Sequence, residues 1–307
     1  MKIIRAAKDL KPAGRKVCLA MGFFDGVHLG HQQIIRQTIA DARQHNAVAL
    51  VLTFDRHPNS VVAPEQVPPL IYALSQKQRT IAALGADALL LLHFDRRLSR
   101  CSGEAFVRKL VQDLGSVHSI CVGADFQFGH MRSGNVALLK RLGAELGFIV
   151  HGVAAVSLDG KVVSSTRIRR TIQTGKLDAA SQMLGRPYSI CGRIVRGDRL
   201  GRKLGFPTCN LDVTGLVLPP HGVYAVQASA CGKTHRAVLN IGIRPTLKAR
   251  EPRLRVEAHL LDFHGNLYGR EMEFTFVEKL RGERRFPSLE ALQRQIARDI
   301  SKARACF

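Results

Sequence analysis

The first half of the chain alternates between two textures. Residues 17–24, 47–54, 88–94, 117–123 and 148–153 are short, nearly continuous apolar runs of strand length. Between them the apolar period becomes helical. Ile34, Ile35, Thr38, Ile39 and Ala42 share one face. Ser75 is positioned to cap a helix that runs to Leu84 and stops at Gly85. Ser102 caps another, with Phe106, Leu110, Val111 and Leu114 on its apolar face and Gly115 at its end. Residues 136–146 form a further helical stretch. Buried strands alternating with amphipathic helices predict a parallel sheet with helices on both faces. Residues 171–184 are helical with a break at Gly175, and Gly185-Arg186-Pro187 ends this regime. Short strand-like runs follow at 188–195, 206–211, 223–230, 237–241, 254–261 and 272–277, separated by turn residues. That spacing predicts an antiparallel barrel. Residues 288–303 form a closing helix, capped by Ser288, with Leu289, Leu292 and Ile296 as its apolar stripe. Two domains are expected, 1–185 and 186–307.

Composition narrows the class. Hydrophobic residues make up 46 % of 307, enough for two cores. No apolar run approaches the ~18 residues a membrane span needs. The charged first ten residues do not read as a secretory signal. Seven cysteines, an odd number with no Cys-x-x-Cys, point to reduced thiols in a cytoplasm. The net charge of +22 raises the question of nucleic acid. Yet the charge is spread evenly over both halves, and four Tyr with no Trp offer little for base stacking. No specific nucleic-acid partner and no membrane partner are expected.

Chemistry gathers where the predicted parallel strands end, the edge at which such sheets bind ligands. Residues 22–31 read Gly-Phe-Phe-Asp-Gly-Val-His-Leu-Gly-His. Gly26 supplies a tight turn, and Gly30 lets a ligand approach the backbone. His28 and His31, three apart, share one face of the first helical turn, whose free N–H groups attract anions. Half a metal site is the competing reading, but no Cys, Asp or Glu follows at ligand spacing. The second strand ends in Thr53-Phe54-Asp55-Arg56-His57-Pro58, and the fourth in Gly123-Ala124-Asp125-Phe126-Gln127-Phe128-Gly129. Ser164, Ser165 and Thr166 open a short helix with Arg167 and Arg169 close behind, an anion clamp or an ordinary cap. In the second half, residues 197–210 form a basic, glycine-rich loop running into Thr208 and Asn210, oxygen donors suited to a hard cation. The order of residues is not that of a Walker A loop.

These motifs, in this order, resemble the bacterial bifunctional riboflavin kinase/FMN adenylyltransferase family. The likeness runs from about Val17 to Asp299. It implies a Rossmann-like nucleotidyltransferase domain followed by a β-barrel riboflavin kinase domain. It also implies ATP as co-substrate, Mg²⁺, and riboflavin, FMN and FAD as substrates and products. By this resemblance His28, His31 and Arg169 act in adenylylation, while Gly22, Phe24, Asp25, Gly30, Ser165, Thr166 and Arg167 hold ATP. Phe54, His57, Pro58, Asp125, Phe126 and Phe128 would meet the flavin, though Phe126 and Phe128 read equally well as loop residues packed on the core. In the barrel, Gly201, Lys203, Gly205 and Pro207 would cover ATP, and Thr208 and Asn210 would hold the metal. Glu257 would be the base, or else a strand residue facing water, and Arg281 and Phe286 would lie near the flavin ring. Asn240-Ile241-Gly242 and Arg244-Pro245-Thr246 match further family segments. Phe23, Asp55-Arg56, Gln127 and Cys209 depart from the usual Asn, Glu-Pro, Arg and Ala. Two other functions fit parts of the pattern: a nucleotidyltransferase for another phosphate acceptor, or a basic nucleic-acid-binding protein.

Overall fold

The computed structural model describes residues 1–197, 200–230, 232–244 and 253–307, with the side chains at 200, 203, 244 and 253 outside that description. Lys203 as a side chain, and the segment around Pro245-Thr246, therefore fall outside it. The chain divides into two compact units, Met1–Arg167 and Ile168–Phe307.

The first unit is a six-stranded parallel sheet. Its strands are β1 (Lys2–Ile4), β2 (Val17–Met21), β3 (Val48–Phe54), β4 (Ala88–Leu92), β5 (Val117–Gly123) and β6 (Ile149–Val153), in the order β1-β4-β3-β2-β5-β6. Alternate residues of β2 feed two cores: Val17, Leu19 and Met21 on one face, Cys18 and Ala20 on the other. Helix α1 (Leu29–Gln44) packs Ile35, Ile39 and Ala42 on the second face. Helices α2 (Asn59–Val62), α3 (Leu74–Ala83) and α4 (Arg96–Ser99) follow in order, and α5 (Gly103–Leu114) and α6 (Val136–Leu146) cover the first face. A small hairpin, β7 (Ser157–Leu158) and β8 (Lys161–Val162), precedes α7 (Ser165–Gln173).

Three local expectations are corrected. Five strands were predicted; β1 is a sixth, too short to show alternation, with Ile4 alone of its three residues buried. The N-cap of α3 is Ala73, without a side-chain bond, so Ser75 lies inside the first turn and caps nothing. Leu289 is 57 % exposed. The closing helix therefore seats on Leu292, Ile296, Ile300 and Ala303, while its first turn projects into water.

The second unit is a closed barrel. β9 (Ser189–Val195), β10 (Cys209–Leu211), β11 (Gly222–Ala230), β12 (Lys233–Arg244), β13 (Arg253–Leu260) and β14 (Glu271–Arg281) close in the order β10-β13-β12-β11-β14-β9. Tyr188, Tyr224 and Phe274 are among its fully buried side chains, each contributing about 1.5–3 kcal/mol by burial. The one-turn helix α9 (Leu200–Lys203) sits in the glycine-rich loop. α7 ends near Gly175 (φ +77), and α8 (Leu177–Leu184) follows. α8 buries Ala180, Met183 and Leu184. Helix α10 (Leu289–Ala305) is capped by Ser288, whose Oγ accepts the Ala291 N–H at 3.2 Å. Arg281 on β14 donates twice to Asp299 on α10, at 2.9 and 2.8 Å, fastening this helix to the barrel.

Candidate active site

In the first unit the chain leaves β2 and turns sharply before α1. Phe24 adopts left-handed backbone (φ +53) and is buried. Gly26 (φ +74) needs the same region, and a Cβ there would also stand 3.0 Å from Ile71. A Cβ on Gly22 would strike the Phe24 ring at 2.8 Å. The turn delivers His28 as the N-cap of α1, its Nδ1 accepting the His31 N–H at 3.4 Å. The two imidazoles stack with centroids 3.5 Å apart, and Phe24 supports His31 edge-on at 5.3 Å. Gly30 leaves room beside that stack: a Cβ there would lie 3.4 Å from His28 Cε1. Two imidazoles over a helix N-terminus make an anion site.

Asp25 is buried and faces the protein. Its carboxylate accepts the N–H groups of Ile71 at 3.0 Å and Tyr72 at 3.3 Å, pinning that segment to the turn. Ser165 Oγ donates to the Asp25 carbonyl at 3.1 Å, so the start of α7 meets the phosphate turn. Ser164 Oγ accepts the Arg167 N–H, and Thr166 is exposed. Arg167 Nη1 donates to the Leu158 and Lys161 carbonyls at 3.1 and 2.7 Å and so holds the β7–β8 hairpin. Arg169 belongs to the second unit and is half-buried.

Sequence reasoning missed Lys77. It is buried, and its Nζ donates to the Phe23 carbonyl at 3.1 Å, Thr53 Oγ1 at 3.2 Å and the Phe54 carbonyl at 3.0 Å. Burial pushes its pKa down to about 8, with Asp25 and Asp55 opposing. A lysine on a polar helical stretch reads as solvated; only the convergence of two strand ends reveals this role. Its Nζ also lies 4.4 Å over the Phe23 ring, which meets His57 edge-on at 4.8 Å. His57 Nδ1 accepts the Asn59 N–H at 3.0 Å, and Pro58 begins α2. Burial acts to raise the Asp55 pKa, but the His93 hydrogen bond at 2.7 Å, the Phe94 N–H and the charges of His93 and Arg56 together outweigh it, and the net direction is down. Phe54, Phe126 and Phe128 pack against the first core. Phe126 and Phe128 stack at 5.3 Å, and Asp125 is exposed beside them.

In the second unit, β10 and β13 put Asn210 opposite Glu257, and β12 puts Asn240 opposite Glu257 on its other side. Val256 and Ala258 are buried whereas Glu257 is partly exposed, so it faces outward. Arg255 Nη1 stands 3.8 Å from it. The glycine loop lies close over this row. A Cβ on Gly197 would fall 2.1 Å from Asn210 Nδ2, and one on Gly201 would fall 2.4 Å from the Phe206 carbonyl and 3.0 Å from Thr208 Oγ1. Gly205 (φ +84) ends α9. Pro207 and Thr208 line a cavity of about 440 Å³ that His264, Asn266 and Tyr268 also border. His259 Nδ1 lies 2.8 Å from the Pro207 carbonyl, and burial pushes the Cys209 thiol up to about 11. Arg281 is held by Asp299, and the Phe286 ring is 5.7 Å from its guanidinium.

Two family models match. The one described as FAD synthetase covers residues 10–167, and the one described as riboflavin kinase covers 184–307. The bifunctional riboflavin kinase/FMN adenylyltransferase of Pseudomonas fluorescens is 38 % identical over 99 % of this chain and 97 % of its own. That of Escherichia coli K12 is 38 % identical over 100 % and 98 %. That of Haemophilus influenzae is 35 % identical over 100 % and 99 %. A crystal structure described as a macrolide-efflux protein from Streptococcus pneumoniae superposes with a TM-score of 0.82 at 26 % identity, over 98 % of each chain. Among the described residues no helix is long and apolar enough to cross a membrane. Matched along its whole length by these models and relatives, with a histidine-capped turn in one unit and a glycine loop over a polar strand row in the other, the chain belongs to the bifunctional riboflavin kinase/FMN adenylyltransferase family.

Proposed function

We propose that this chain makes FAD in two ATP-dependent steps, phosphorylating riboflavin in the barrel and adenylylating FMN at the parallel sheet. The observation that carries it is the pairing, in one chain, of the stacked His28–His31 N-terminus with the Asn210–Glu257–Asn240 row under a glycine loop. The assignment of functions to residues 1–185 and 186–307 is part of the proposal.

In adenylylation an FMN phosphate oxygen bonds to the α-phosphorus of ATP as the bond to pyrophosphate breaks. That oxygen is already ionised, so no base is required; the site must position anions and stabilise the departing charge. His28, His31 and the first N–H groups of α1 do this, with Ser165 and Thr166 completing the anion clamp; Arg169 is assigned to this step by family resemblance alone. Arg167 then acts through the hairpin it holds. Asp25 acts by fixing the turn. Phe54, His57, Pro58 and the 125–128 loop form the flavin side, Phe126 and Phe128 as its packed floor.

In the kinase step the riboflavin hydroxyl oxygen bonds to the γ-phosphorus and ADP leaves. Glu257 accepts the hydroxyl proton. Thr208 Oγ1 and the Asn210 side chain are neutral oxygen donors under a loop too close for any side chain, and they suit Mg²⁺. When bound, the ion neutralises polyphosphate charge. Gly201, Gly205, Pro207 and Lys203 form the ATP cover, and Arg281 and Phe286 border the flavin ring. Six cysteines are free thiols among the described residues, which supports a cytoplasmic enzyme.

The test is direct. The purified chain with riboflavin, ATP and Mg²⁺ should yield FMN and then FAD on chromatography. Neither product, with tight RNA binding instead, would overturn the proposal. A different adenylylated acceptor would leave only the first unit's chemistry standing.

A further inference from the structure

Away from the strand ends that carry the phosphate turn, the last turns of α1 meet β5 and β6 in a cluster unused by either reaction. Asp41, 8 % exposed as a side chain, lies near the C-terminus of α1. The helix dipole disfavours a buried carboxylate there. Imidazoles surround it. His151 Nε2 is 3.5 Å from Asp41 Oδ2, His118 Nε2 is 4.0 Å from Oδ1, and His45 Nδ1 is 3.2 Å from Oδ1. The His118 and His151 Nε2 atoms are buried without a hydrogen-bond partner among the described residues. Orphaned buried nitrogens cost stability unless something binds them.

The backbone is arranged for this meeting. Cys121 and His151 are register partners on parallel strands, so they share a face. The β2–β5 register shifts between Val17 and Cys18, making His118 an extra residue on β5. Such a bulge re-aims a side chain, and here both His118 and Ser119 reach Asp41. The donor atoms of Asp41, Cys121 and His151 all lie within 4.8 Å of one another, and so do those of Asp41, His45 and His118. Zinc-type bond lengths place tetrahedral ligand atoms about 3.3–3.8 Å apart. The 3.5 Å Asp41–His151 separation already has that spacing, and the Cys121 sulfur lies within 4.8 Å of both donors.

We propose that Asp41, Cys121 and His151 bind a transition-metal dication of the zinc class, with His118 and His45 as neighbouring imidazoles on the other carboxylate oxygen. Sulfur, nitrogen and oxygen together select Zn²⁺ or Co²⁺ over Mg²⁺ or Ca²⁺. The ion would supply the positive charge that the helix end and carboxylate call for, and would displace the thiol proton to solvent as the sulfur binds. His151 is 35 % exposed, giving the ion a way in. A bound ion would cross-link α1, β5 and β6.

The probe is Co²⁺ added to the full-length, chelator-treated protein in excess Mg²⁺, followed by absorption spectroscopy and equilibrium dialysis. Saturable binding with a thiolate-to-cobalt band in the near ultraviolet is expected. Cys121→Ser should abolish that band, and His151→Gln should weaken binding at least tenfold. FMN and FAD formation should proceed in both variants, showing that they fold. His31→Ala should leave the band intact, separating this cluster from the histidine pair at the phosphate turn. No saturable binding, or a band that survives Cys121→Ser, overturns the proposal and leaves the imidazoles themselves as the partners of Asp41.

Discussion

Three side chains carry separable consequences. His31 is held by stacking on His28 and by Phe24, in the unit to which the proposal gives adenylylation. His31→Ala should lower FAD formation from supplied FMN by about 10²–10³-fold, the scale of losing one charge-stabilising donor. FMN formation should stay near the parent rate; equal loss of both in separate assays would refute two independent sites. Glu257→Gln keeps shape but removes the proposed proton acceptor. Riboflavin phosphorylation should fall by about 10²–10⁴-fold with riboflavin affinity kept, and steady-state kinetics at parent rate would make Glu257 an ordinary outward strand residue. Lys77 predicts a pH dependence. Its folded pKa, about 8, lies below the ordinary 10.5. Between those values the unfolded chain binds more protons, so this group's contribution to stability rises with pH from 8 to 10.5. Melting curves of Lys77→Met should lack that rise.

At the scale of elements, the glycine loop is tested through what it leaves no room for. Gly197→Ala places a methyl where Asn210 Nδ2 now lies, so the loop or the asparagine must move. The KM for ATP in FMN formation should rise about tenfold, as in Asn210→Ala, and additional Mg²⁺ should recover part of it in both. An unchanged KM would show the loop yielding freely. Much of this layer was legible in the sequence, because each element obeys one period. β5 and α6 fall on the residues their apolar patterns indicate, and Ser102 and Ser288 cap as their chemistry suggests. What was not legible depends on distant chain. β1 exists because β4 offers it an edge. Lys77 is fixed by carbonyls more than twenty residues away in sequence. Phe23, in place of the usual Asn, is explained by packing on His57, and Arg167 by a hairpin with no strong pattern. The tie between Arg281 and Asp299 joins two elements that the sequence shows only separately.

For the whole molecule, the division of the chain is open to experiment. Texture changes at Gly185, yet the compact second unit begins at Ile168 and includes α8. Tyr188 N–H donates to Ser181 Oγ on that helix at 3.0 Å. Residues 186–307 alone should fold and phosphorylate riboflavin, since every strand of the barrel is retained. Residues 168–307 should melt several degrees higher, because Met183 and Leu184 regain their burial. Equal melting temperatures would mean that α8 adds nothing to the barrel. Closure of that barrel also sets an order of events during synthesis. The first unit's sheet is complete once β6 has emerged. β9 must wait for β14: Ser189 and its partner Glu273 are 84 positions apart in sequence. Until then the nascent barrel carries unpaired strand edges on the ribosome, the interval in which such a chain is most prone to mispair with its neighbours. A slowed codon run or a premature stop before β14 should therefore send this protein into aggregates while its first unit is already folded.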